Sequence, residues 1–156
     1  MTGSSELVAV DLTDDERDFI RQAMHQWESS ASRQPFPFQV LALSTWEGFG
    51  KLTLRLERAV TDGEALTNLD WAQVLFLTEV TGASDLIGSG LDFDVVTSFS
   101  DTGAVTLLRG LQRKIGGFRR AKLLFPNGGR TRTAEELKEI ERWGERVPTT
   151  SPRGSR

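Results

Sequence analysis

The chain has 156 residues, a net charge of −3, no cysteine and a single histidine. This length suits one domain with a sizeable core. The lack of thiols excludes disulfides, thiolate metal sites and a cysteine nucleophile, and it fits a reducing compartment. No stretch approaches the roughly 18 apolar residues that a membrane span needs, and the first residues lack a signal-peptide pattern. We therefore expect a cytoplasmic protein with no membrane partner and no cofactor.

The first part of the chain predicts a leader and one helix. Residues 1–11 show no strong periodicity, and we expect a flexible leader there. A helix is predicted over 13–29, because Thr13 and Glu16 have the spacing of a capping box and apolar residues follow at helical spacing. Two prolines then predict an extended connection, since proline disfavours helix in the residue before it.

Two further helices follow, each with its own start signal. Ser44 and Glu47 have capping-box spacing, and they predict a helix that ends at the turn "TDGE". Thr67 is the expected cap of a third helix over 68–86. This third segment is apolar almost all round, a pattern typical of a central helix.

The second half of the chain predicts two more helices. A loop with a short extended piece at 93–97 leads to a helix over 101–115, which a pair of glycines ends. Residues 118–125 fit either a short helix or a strand before the turn "PNGG". A last helix over 133–147 opens with a capping box, and 148–156 has the composition of a disordered tail.

These elements predict an all-α fold. We expect a single compact array of about five helices over 12–147, with a Gly-rich basic loop before the last helix. The last helix can be an appendage to this array. The four tryptophans occupy apolar stripe positions, so we expect all of them in the core.

The charges are sorted along the chain. Residues 102–132 hold eight basic residues and no acidic one, whereas 59–108 hold eight acidic residues and no basic one. Charge clusters on a surface favour binding of an oppositely charged partner. Our leading hypothesis is a non-catalytic interaction or regulatory protein that binds an acidic protein surface or a second copy of itself. The predicted binding residues lie at 109–132: Arg109, Gln112, Arg113, Lys114, Arg119, Arg120, Lys122, Arg130 and Arg132.

Two other interpretations of this segment stay open. The same residues suit DNA or RNA, because Arg and Gln can contact base edges and the other cations can neutralise phosphates. Against this, nucleic-acid-binding modules tend to be basic throughout. Alternatively, the acidic and basic blocks face each other within one molecule or are solvated surface, where ion pairs contribute only about 0–1 kcal/mol each.

An enzyme finds little support in the sequence. His25 falls on the polar side of its helix, and one histidine without cysteine cannot build a typical zinc site. Asp92 and Asp94 could ligate a divalent cation, but the surrounding loop lacks the calcium-binding pattern and the glycines lack the dinucleotide fingerprint. Glu79, in the apolar helix, has no partner acid or base. We predict no catalytic and no metal-binding residues.

Several short motifs carry a resemblance to other proteins. "LTDDER", "QWE", "LDW", "GSGLDF" and "LLRGLQRKI" together resemble a group of small uncharacterised actinobacterial proteins, over about residues 12–115. The resemblance implies a bacterial cytosolic setting. It implies no activity, cofactor or site residue.

Overall fold

The computed structural model describes residues 6–146, with side chains as far as residue 143. This part of the chain is mostly helical, as the all-α prediction expects. It contains a two-stranded sheet, β1 (Leu7–Val8) and β2 (Leu66–Thr67), and three 3₁₀ turns, at Gln26–Glu28, Phe38–Leu41 and Gly90–Asp92. Its α-helices number seven, where the sequence predicts about five: α1 (Asp14–His25), α2 (Trp46–Thr61), α3 (Asn68–Ala83), α4 (Phe93–Val96), α5 (Asp101–Ile115), α6 (Phe118–Leu124) and α7 (Ala134–Arg146).

The expected flexible leader at 1–11 is partly ordered. β1 pairs antiparallel with β2, with Val8 opposite Leu66. The indole N–H of Trp71 donates to the Val8 carbonyl at 2.8 Å, which fixes the strand against α3. This pairing is non-local, so residues 1–11 alone give no sign of it. Residues 1–5, Val147 and the predicted tail at 148–156 lie outside the described residues.

Side-chain caps begin most of the long helices. At α1 the predicted capping box is present: Glu16 N donates to Thr13 Oγ1 at 3.1 Å, and Thr13 N donates to Glu16 Oε1 at 2.9 Å. Thr67 caps α3 as predicted. At α2 the prediction of Ser44 and Glu47 is wrong by one residue, because Thr45 Oγ1 accepts the Gly48 N–H instead. Serine and threonine are both favoured cap residues, and the structure uses Thr45.

The core is built around α3, which buries nine of its side chains and packs against α1, α5 and α6. The predicted central position of this helix is therefore confirmed. The connection after α1 is held by Phe36, whose ring lies 4.8 Å from that of Trp27 and 5.3 Å from that of Phe49. Of the four tryptophans only Trp27 and Trp71 are buried. The prediction that all four are core residues is wrong.

The turn after α3 explains the Gly-Ser-Gly motif. The helix ends at Ala83, not at 86, because the chain folds back on it and Ser89 N donates to the Thr81 carbonyl at 3.0 Å. A Cβ at Gly88 would lie 2.0 Å from the Val80 carbonyl oxygen, so only glycine fits there. The prediction of an extended piece at 93–97 is also wrong. Residues 93–96 form α4, because the Phe93 side chain is buried against α1.

Candidate interaction surface

The basic segment occupies α5, α6 and the loop that leads to α7. Helix α5 ends at Ile115, and Gly117, with a φ of 128°, lets the chain reverse into α6. The ambiguity over 118–125 is resolved in favour of a helix, which packs along α3. The reversal places the end of α5 beside the start of α6. Arg120 of α6 therefore lies against the last residues of α5, Lys114 and Ile115.

Lys114 is engaged in an ion pair with the start of α1. Its ammonium donates to Glu16 Oε1 and, at 2.8 Å, to the Asp11 carbonyl. The Glu16 side chain is only 6% exposed. Burial acts to raise the pKa of Glu16, but the Lys114 ammonium and the hydrogen bonds from Thr13 outweigh it and hold the pKa below its ordinary value. Lys114 therefore joins two helices.

Arg120 closes the end of α5. Its guanidinium donates to Asn68 Oδ1 at 3.1 and 3.2 Å and to the Ile115 carbonyl at 3.0 Å. The Ile115 carbonyl is among the last four of the helix, which lack intrahelical partners. Burial lowers the pKa of Arg120. This side chain is a structural cap that joins α3, α5 and α6.

Arg109 and Gln112 form a polar chain on the side of α5 that faces α3. Arg109 Nη1 donates to Gln112 Oε1 at 2.7 Å, and Gln112 Nε2 donates to Glu79 Oε2 at 2.7 Å. Gln112 and Glu79 also line a hollow of about 380 Å³ between α3, α5 and α6. Glu79 was considered above in the search for a catalytic acid. The donor to its carboxylate is the Gln112 side-chain amide rather than a basic side chain.

Three of the remaining cations lie together in a concave surface beside α6. A groove of about 680 Å³ between α6 and the loop at 125–133 is lined by Lys122, Arg130 and Arg132. An adjacent hollow of about 580 Å³, against α7, shares Arg130 and Arg132. We call the two hollows together the basic groove. Arg130 also pairs with Glu136 at 3.1 Å, an exposed contact that water screens.

Exposed aromatic rings line the same groove, and one of them, Trp143, was expected in the core. Phe118 lies between the two hollows, Phe125 lines the larger one and Trp143 the smaller one. Trp143 is 71% exposed, whereas Leu137 and Ile140 of the same helix are half-buried. The narrow apolar stripe of α7 could have indicated this exposure, because a stripe of that width covers little of a core.

The structure therefore divides the predicted binding residues into three groups. Lys122, Arg130 and Arg132 meet in the basic groove. Gln112, Lys114 and Arg120 are engaged within the fold. A third group lies on exposed helix surface outside the basic groove: Arg109 and Arg113 on α5 and Arg119 on α6.

The other candidate residues lie at two places in the structure. His25 Nδ1 lies 3.8 Å from Glu57 Oε1. Burial raises the pKa of Glu57, although His25 opposes the change. Asp92 and Asp94 are exposed, and in the same turn Asp85 Oδ1 accepts the Leu91 N–H at 3.1 Å. Among the side chains described, up to residue 143, no group of three or more His, Asp or Glu is placed to hold a metal ion.

Helices of the described region are all too short or too polar to cross a membrane. Comparison with known proteins gives no match to any family model, curated protein or solved structure. The resemblance to a group of actinobacterial proteins stays a prediction.

Proposed function

We propose that the protein is a non-catalytic interaction module whose basic groove binds an acidic segment of a partner protein. The observation that carries this proposal is the meeting of exposed aromatic rings and unburied cations in one concave surface. Aromatic residues and arginine are the residue types enriched at protein interfaces and at their hot spots. In this groove, Phe118 and Trp143 would supply apolar anchorage, and Lys122 and Arg132 would select negative charge.

A protein partner fits this surface better than a nucleic acid. The carboxylates of Glu136 and Glu139 line the part of the groove next to α7, where they would repel a phosphate backbone, which is charged at every nucleotide. A protein segment can instead place apolar residues there and keep its carboxylates near Lys122. Leu137 and Ile140 add aliphatic surface suited to apolar side chains. The chain as a whole carries a net charge of −3, which also opposes non-specific binding of nucleic acid.

The loop between α6 and α7 would form the adjustable wall of the groove. It carries Gly128 and Gly129, and Gly129 has a φ of 77° that other residues rarely adopt. This Gly-rich basic loop before the last helix would let α7 shift as a ligand enters. A bacterial cytoplasmic setting remains our expectation for such a module.

The proposal is tested by fluorescence anisotropy with three defined probes. The first is a helical peptide that carries Asp and Leu on one face, the second has the same charge but no apolar residue, and the third is oligothymidine. We expect the first peptide to bind most tightly, because only it uses both the cations and the rings. Tighter binding of oligothymidine, with a steep salt dependence, would instead establish the nucleic-acid alternative.

A matched pair of variants separates the groove from general electrostatics. Lys122→Glu/Arg132→Glu should abolish binding of the first peptide. Arg33→Glu/Lys51→Glu makes the same change in net charge at exposed positions elsewhere and should leave binding intact. Equal loss in both variants would show that overall charge, and not the groove, attracts the peptide.

A further inference from the structure

A second exposed apolar surface lies in the turn before α5. The helical turn at 90–96 is anchored by Phe93, whose buried ring lies 5.5 Å from that of Phe19. Leu91 and Val95 stand two residues on either side of Phe93, so they point away from the core. Both are 79% exposed, and neighbouring Leu86 is 81% exposed. Three large aliphatic side chains so exposed on one short segment are typical of an interaction surface.

Carboxylates flank this apolar surface. Asp92 and Asp94 lie on either side of the Leu91–Val95 line and are exposed. Within the described part of the chain neither carboxylate accepts a hydrogen bond or forms an ion pair. We call the surface formed by Leu86, Leu91, Asp92, Asp94 and Val95 the acidic ridge. It combines exposed aliphatic side chains with negative charge, whereas the basic groove is concave and combines aromatic rings with cations.

The two surfaces lie on either side of α5 in sequence. Five residues separate the last ridge residue, Val95, from the start of α5, and one residue separates the end of α5 from Gly117 and Phe118 of the basic groove. Helix α5 has 15 residues, and a helix of that size is about 22 Å long. The length of α5 therefore lies between the ridge and the Gly117–Phe118 end of the groove.

We propose that the acidic ridge of one copy docks in the basic groove of a second copy. This inference rests on the proposed function and names the partner of the groove. Leu91 and Val95 would enter between Phe118 and Trp143, while Asp92 and Asp94 would approach Lys122 and Arg132 of the other chain. Because the two surfaces differ, the contact is heterologous, and each copy keeps one free ridge and one free groove. Association would continue head to tail unless the ring closes.

The experiment uses charge reversal on each surface separately, measured by sedimentation velocity over a wide range of concentration. Asp92→Lys/Asp94→Lys alters only the ridge, and Lys122→Glu/Arg132→Glu alters only the groove. Each variant alone should lose at least about tenfold in association constant, since like charges then face each other. Mixed in equal amounts, the two variants should associate again, because the intact ridge then meets the intact groove and the reversed ridge meets the reversed groove, each with opposite charges.

Matched controls keep the net charge equal. Asp62→Lys/Glu64→Lys and Arg33→Glu/Lys51→Glu lie at exposed positions outside both surfaces and should associate as the wild type does. A wild type that stays monomeric at all concentrations, or a mixture that stays monomeric, would overturn the inference. If the wild type is monomeric and the groove still binds the acidic peptide, only self-association is refuted and the proposed function stands.

Discussion

Replacing Lys114 by Met removes the ammonium that joins α5 to the start of α1. The side chain donates to Glu16 and to the Asp11 carbonyl. Without it, the Glu16 carboxylate, only 6% exposed, keeps the Thr13 N–H as its remaining protein donor among the described residues. A hydrogen bond to a charged group contributes about 1.5–3 kcal/mol. Lys114 is itself about one third exposed, so we expect a loss near the middle of that range, about 2 kcal/mol.

The assay is urea unfolding followed by tryptophan fluorescence, since Trp27 and Trp71 are buried. A loss of about 2 kcal/mol lowers the melting temperature of a chain of this size by roughly 4–8 °C. Glu16→Gln/Lys114→Met should recover most of the loss. Glutamine preserves the capping-box geometry, and no unpaired charge remains buried.

The effect must also depend on pH with a definite sign. The pKa of Glu16 lies below its ordinary value of 4.5 in the folded state. The pair therefore stabilises the fold above that value and loses its contribution as the pH falls through the lowered pKa. The gap between wild type and Lys114→Met should thus narrow in acid. A gap that persists at low pH, or no change of urea midpoint at neutral pH, would refute the structural role. Peptide binding should be unchanged in this variant.

Three other substitutions test separate parts of the structure. Arg120→Met removes the cap on α5 and should cost about 2 kcal/mol in urea unfolding; Arg120→Lys should not restore it, because an ammonium cannot reproduce the guanidinium fork. Gly88→Ala sets a Cβ 2.0 Å from the Val80 carbonyl oxygen and should cost about 3 kcal/mol, with a lower melting temperature. Trp143→Ser should change stability by less than about 0.5 kcal/mol, because the ring is exposed, yet it should weaken binding of the acidic peptide measurably in the anisotropy assay.

The sequence correctly predicted the helix ends that are set by neighbouring residues, such as hydroxyl caps and glycine pairs. Helix α5 has the predicted bounds of 101–115, because a hydroxyl cap precedes it and a glycine pair follows it. The capping box of α1 is likewise a matter of residues three apart. The end of α3 and the helical turn at 90–96 depend on contacts between residues farther apart, namely the Ser89–Thr81 hydrogen bond and the Phe93–Phe19 ring contact. No pattern of neighbouring residues specifies them.

The division of the cations was beyond sequence reasoning for the same reason. Lys114 finds Glu16 across 98 positions of sequence, and Arg120 finds Asn68 across 52. A count of basic residues treats these cations as equivalent to Lys122 and Arg132, which line an open groove. The exposure of Trp143 was hidden in another way, because an apolar stripe on a helix looks alike whether or not another element covers it.

The positions of the ion pairs show whether the acidic block and the basic block neutralise each other within one molecule. If the acidic block existed to neutralise the basic block, carboxylates of 59–101 would meet cations of 109–132. Apart from any contact of Arg119, no such ion pair joins the two blocks in the described residues. The fold instead engages Lys114 with Glu16, outside the acidic block, and Asp70 with Arg55, outside the basic one. Each block thus keeps exposed charge beside exposed apolar side chains. In the contact that we propose, these unpaired charges would meet between two molecules instead of within one.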